Sequence, residues 1–117
     1  CGKGRWPRHC RYELQPGSWV RTNSTDQYVA ISVVSDYMGL LHSISQEFRI
    51  RAVLDAGGNA GFAAAMFGSF WPDAVVVSLE PEQSNYAMLS LNTRHLRNVM
   101  PLNGALGNIN GRLHLRN

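Results

Sequence analysis

The stretch VLDAGGNAGFAAAMF, Val53 to Phe67, decides how the rest of the chain is read. An apolar run ends in Asp55, a turn rich in glycine follows, and an alanine-rich helix former begins near Phe62. Strand, glycine turn and helix in that order form the loop with which α/β proteins grip a cofactor.

Outward from that loop, the same alternation repeats. IRAVLD at 50–55 reads as a buried strand and AGFAAAMFGSFW at 60–71 as the helix after it. VVVSLE at 75–80 is β-branched and bounded by Pro72 and Pro81, which suits a parallel strand covered on both faces. EQSNYAMLSLNTRHL at 82–96 is the next helix, with Tyr86, Leu89 and Thr93 along one side. VMPLNGAL at 99–106 is a third strand. GNINGRLHLR then offers the Asn110-Gly111 turn and the alternating Leu113 and Leu115 of a short antiparallel hairpin. The alternation implies an α/β fold with a parallel sheet and right-handed crossovers, the strands lying in the order third, second, first.

Upstream, DQYVAISVVSDYMGLLHSISQEF places Tyr28, Ile31, Val34, Met38, Leu41 and Ile44 at helical spacing, as one stripe, with Asp26 as N-cap. Residues 1–25 read as an irregular arm, punctuated by Pro7, Pro16 and Gly17, and 26–117 as one domain. The chain has 117 residues with 44% hydrophobic and 16% charged content, which describes a globular protein rather than a disordered one.

The net charge is +3, and Lys3, Arg5, Arg8 and Arg11 all precede the first acid, Glu13. Such an arm binds phosphates or an acidic partner, or is a solvated tail or trimmed targeting region. With no aromatic ladder, recognition helix or zinc spacing beside it, nucleic-acid binding is disfavoured. No run of about 18 apolar residues is present to span a membrane. The first residue is Cys1, which implies an upstream segment removed or not included. Cys1 and Cys10 form one disulfide or two thiols, and with His9 they give at most three ligands at poor spacing, so no metal site is expected. The compartment is open between organellar and cytoplasmic.

Three features fall at the carboxyl ends of the three strands, where open α/β sheets bind ligands. In DAGGNAG, Gly57 and Gly58 permit positive φ and close backbone approach, and Gly61 lets the following helix pack near the strand. Backbone N–H groups at that helix start can donate to a carboxylate. Glu80, 25 residues after Asp55, can accept both hydroxyls of a ribose. Asn103 can meet a base edge, with Gly104 and Ala105 leaving room for a flat ring. Each has a bland alternative: a tight turn, a rim acid, a strand end. Together they point to a ribose-containing cofactor. The GGNAG spacing departs from the dinucleotide fingerprint, which leaves NAD as the runner-up.

VLDAGGNAGFAA, VVSLEPEQSNYAMLSLNT and NVMPLNGALGNINGRLHL together resemble the S-adenosylmethionine-dependent methyltransferases of the FkbM family. The lead-in VRTNSTDQYVAISVVSDYMGLL is similar too, so the resemblance covers roughly residues 20–117. Gly58 stands where the family pattern has alanine. The resemblance implies a partial Rossmann-like, class I methyltransferase sheet, truncated after the third strand and a hairpin. It also implies that Asp55, Gly57, Gly58, Asn59 and Gly61 surround the methionine part of S-adenosylmethionine, Glu80 the ribose, and Asn103 to Ala105 the adenine.

The family's fourth strand and acceptor half are not in the chain. The first strand is therefore expected to keep an open edge that other protein covers, with the arginine-rich arm at the same contact. His42, His95 and His114 read as solvated surface residues, and no residue is read as a catalytic base. Two functions follow: the cofactor-binding half of an O-methyltransferase, not catalytic by itself, or a non-catalytic structural or accessory subunit of a larger assembly.

Overall fold

The computed structural model describes the backbone of residues 11–15, 17–112 and 114–116, and side chains from Gly17 onward within that set. The possible disulfide of Cys1 and Cys10, and the basic residues Lys3, Arg5 and Arg8, lie outside it, as does Leu113. The element order is β1 (Arg11–Gln15), β2 (Ser18–Arg21), α1 (Asp26–Glu47), β3 (Ala52–Ala56), α2 (Phe62–Phe70), β4 (Val75–Leu79), α3 (Gln83–Thr93) and β5 (Val99–Leu102).

The expected sheet is present. β3, β4 and β5 form a parallel three-stranded sheet with β4 central, and Asp55 is in register with Ser78. The two β-α-β crossovers follow from alternating β-branched strands with helices too long to be hairpin turns. Among the described residues β3 is an edge strand of this sheet.

One face of this sheet is covered. Ala64 and Phe67 of α2 and Leu89 and Tyr86 of α3 pack on Val53, Val76 and Val99. Each buried Leu or Val there contributes roughly 1.5–3 kcal/mol. The opposite face is bare: Leu54, Val75, Met100 and Leu102 are exposed, and Ala52 and Ala56 beside them are exposed too. The expectation that Val75–Leu79 is covered on both faces is thus corrected. β4 is central in the plane of the sheet, but only Val76 and Ser78 on one side are buried.

Three other expectations change. Part of the arm read as irregular is a hairpin, β1 paired antiparallel with β2 across the positive-φ Gly17. The hairpin expected after residue 106 is not formed among the described residues, where no strand follows Leu102. In α1 the N-cap is Thr25 rather than Asp26, and the buried side is not the expected stripe. Tyr28 is 83% exposed, and Ile31, Val34 and Met38 are exposed as well. The helix instead turns Ala30, Val29 and Val33 toward Val20, Phe62 and Met88. That is a rotation of roughly 100°, one residue along the helix. Ala30 is buried there in one cluster with Phe62 of α2. Only Leu41 of the expected stripe is fully buried.

Polar side chains lock these layers. Asn92, on α3, accepts from Trp19 N–H at 2.6 Å and donates to the carbonyls of Trp19 at 3.0 Å and Ala60 at 2.8 Å. Arg21 donates to both oxygens of Asp26 at 2.8 Å and to Asn85 Oδ1 at 2.8 Å, tying β2 to α1 and α3. Burial pushes Asp26 up, but the Arg21 hydrogen bonds outweigh it and hold this carboxyl below its ordinary range. Trp71 Nε1 donates to Ser45 Oγ at 2.8 Å, pinning the end of α1 beside the end of α2. Among the described residues no helix is long and apolar enough to cross a membrane.

Candidate functional site

The parallel register brings the ends of β3, β4 and β5 to one edge of the sheet. The turn after β3 continues the ladder, since the N–H groups of Gly57 and Gly58 both donate to the Leu79 carbonyl at 2.8 Å. The turn needs left-handed backbone at Gly57 (φ 87°), Asn59 (φ 51°) and Gly61 (φ 91°). The sequence had assigned that freedom to Gly57 and Gly58. Gly58 is not left-handed and is glycine for another reason, which Ser78 supplies below.

Gly61 works as expected in kind but against a different partner. A Cβ there would come within 2.9 Å of Leu89 Cα, so the glycine admits the backbone of α3 against the turn. Gly57 faces open space, with nothing within 4 Å of where its Cβ would be, and the same is true of Gly104 at the end of β5. Two bare backbone positions on one rim suit the close approach of a ligand.

Glu80 closes the rim. It is only 6% exposed. Its Oε2 accepts from Asn59 N–H at 2.8 Å and its Oε1 from Glu82 N–H at 2.8 Å. The carboxylate expected to meet the loop's amides is therefore the protein's own, and Glu80 staples the β3 turn to the start of α3. A carboxylate has about four acceptor sites, and these two backbone bonds use one on each oxygen. Glu82 then caps α3, accepting from Ser84 N–H at 3.0 Å and Asn85 N–H at 2.8 Å.

Asp55 lies half-buried next to this carboxylate. Burial pushes its carboxyl above its ordinary value, a hydrogen bond from Ser78 Oγ at 2.7 Å opposes that, and the charge of Glu80 adds to the rise. Asn103 uses its amide nitrogen at home, donating to the Glu80 carbonyl at 2.9 Å and the Pro81 carbonyl at 3.3 Å. Its side-chain oxygen is what it can offer a base edge, so it reads as an acceptor. Ala105 is exposed beyond it.

The residues thus fit a nucleoside-bearing cofactor in donor set: acceptors for hydroxyls at Glu80, an acceptor at Asn103, and uncluttered backbone at Gly57 and Gly104. Asp55, Gly57, Gly58, Asn59, Gly61, Glu80 and Asn103 are brought together, with Ala105 at the margin. The three described histidines, His42, His95 and His114, are all exposed.

A separate cavity lies elsewhere among the described residues. About 630 Å³ opens between α1 and α2, lined by Ile31, Val34, Met38, Met66 and Phe70 with His95 at its end. None of the eight candidate residues lines it, and it holds no carboxylate, lysine or arginine. The candidate residues sit at the strand ends, apart from this cavity.

Sequence reasoning missed Ser78, Asn92 and Arg21. A polar residue inside the apolar run VVVSL was the available signal for Ser78. No family model matches the chain, and no curated protein matches it.

Proposed function

We propose that this chain is the S-adenosylmethionine-binding half of an FkbM-like O-methyltransferase and does not transfer methyl groups by itself. One observation carries the reading: Asp55 and Glu80 stand at the ends of adjacent parallel strands, with the glycine turn between them held to Glu80 through the Asn59 N–H and Asp55 held by Ser78. In this reading Asp55, Gly57, Gly58, Asn59 and Gly61 surround the methionine part, Glu80 takes the ribose hydroxyls, and Asn103 with Ala105 edges the adenine. The bound sulfonium would supply the methyl group. Transfer further requires an aligned acceptor and often a base.

Isothermal titration with S-adenosylhomocysteine tests this. The chain is expected to bind, and Glu80→Ala to weaken binding at least about tenfold, since a hydrogen bond to a charged group is worth about 1.5–3 kcal/mol. Circular dichroism of the variant separates that loss from misfolding. Absence of binding to the unaltered chain overturns the cofactor reading.

A second reading, a non-catalytic structural or accessory subunit, is favoured by the bare sheet face and the open β3 edge. Leu54, Val75, Met100 and Leu102 form an apolar surface beside unpaired strand backbone. Such an edge invites pairing and such a face invites burial. The arginine-rich arm, with Trp6, has the composition enriched at interfaces. A soluble, cooperatively folding monomer that methylates a small acceptor would overturn this reading and the non-catalytic part of the first.

A further inference from the structure

Ser78 lies in the middle of the sheet, fully buried, on the face that carries apolar Val76. A hydroxyl there requires a partner. It has one, Asp55 Oδ2 at 2.7 Å, on the register-paired residue of the neighbouring strand. The same hydroxyl fills the space beside the turn: a Cβ built on Gly58 would collide with Ser78 Oγ. The other neighbours of that Cβ are Asp55 Oδ2 at 3.2 Å and Leu89 Cδ2 at 3.3 Å, both side-chain ends able to give slightly. Gly58, Ser78 and Asp55 are thus one packed unit, in which a hydroxyl on β4 occupies the volume that an alanine at 58 would take.

We propose that Ser78 is a positioning residue of the strand-end site: its hydroxyl fixes the Asp55 carboxylate against Gly58 and favours its ionised form, and residue 58 is glycine to make room for that hydroxyl. The inference rests on the reading of this rim as the ligand site. A hydrogen bond donated to a carboxylate stabilises the charged form. Here it opposes the burial of Asp55 and the repulsion from Glu80, the charged group facing it. Without Ser78 the carboxyl would be more readily protonated and free to rotate, and a cationic group of a ligand would lose its counter-charge.

Two variants separate the hydroxyl from its volume. Ser78→Ala removes both. Ser78→Ala with Gly58→Ala refills the space but restores no donor. The titration of the Asp55 carboxyl, followed by carbon NMR in the full chain or in the complex it is isolated with, reads the hydrogen bond without any ligand. The expected result is an upward shift of the Asp55 midpoint in both variants. Binding of S-adenosylhomocysteine, whose amino group carries the positive charge, is expected to weaken about tenfold at neutral pH in both. An unshifted midpoint in Ser78→Ala, or a return to the original midpoint and affinity in the double variant, would overturn the proposal and leave Ser78 a packing residue. If the unaltered chain binds no S-adenosylhomocysteine, the cofactor reading fails, while the NMR midpoint still decides whether Ser78 sets the state of Asp55.

Discussion

Replacement of Asn92 by alanine is expected to be among the most damaging single changes in the chain. The side chain is buried on α3, 73 residues from Trp19 along the sequence. It makes three hydrogen bonds, to Trp19 N–H, Trp19 C=O and Ala60 C=O. Each is worth about 1 kcal/mol net, and a buried group left unsatisfied costs about 1–3 kcal/mol. Water can reach part of the Trp19 backbone but has little access to the bond at Ala60, so the loss should total about 3–5 kcal/mol. That is a large share of the roughly 5–15 kcal/mol available to a domain. Urea denaturation of the unaltered and variant chains measures it. The midpoint should fall with the slope unchanged. Asn92→Asp should be no better, because two carbonyls would then face a carboxylate instead of a donor. Limited proteolysis should cut the β1–β2 hairpin first, since Asn92 holds its Trp19 to α3, leaving the bonds from Arg21 to Asn85 and Ser84 as its described polar links there. A loss below about 1 kcal/mol for Asn92→Ala would mean that Val20 packing and the Arg21 bonds hold the hairpin without Asn92 and refute the reasoning.

Gly61→Ala should cost about 3 kcal/mol in the same assay, combining left-handed backbone at φ 91° with a Cβ forced onto the backbone of α3. Asp26 has a folded value held below its unfolded one by Arg21, so its contribution to stability is complete above the ordinary aspartate value of about 3.9 and is lost as pH falls through the lower folded value. Thermal midpoints measured down the acid limb should therefore drop, and Arg21→Met should flatten that limb. Leu54 is 60% exposed on the bare sheet face, so Leu54→Lys should leave the folding midpoint of the isolated chain within about 0.5 kcal/mol. The same change should lower its self-association in sedimentation and weaken its recovery within any complex; unchanged association would show that this face is not a contact.

The strands, the helices between them, the parallel pairing and the central place of Val75–Leu79 were legible in the sequence. They follow from local period and from the parallel pairing that alternating strands and helices favour. Asp55, the glycine turn and Glu80 were legible for the same reason: a strand's carboxyl end is a fixed place once the strands are known. Three things were decided only in tertiary structure. Periodicity says which residues of α1 share a face but not what lies opposite, and in the folded chain Ala30, rather than Ile31 or Val34, is buried against Val20, Phe62 and Met88. Burial on both sides of β4 was inferred from its composition, yet an apolar strand reads the same whether its second face is covered within this chain or by something else. The pairs Trp19 with Asn92 and Asp55 with Ser78 are separated by 73 and 23 residues, and although Ser78 stands out within VVVSL, nothing local names the partner of either polar side chain. A buried polar group finds its partner only when strands and helices have closed around it, because the cost of leaving it unpaired arises only once water is gone.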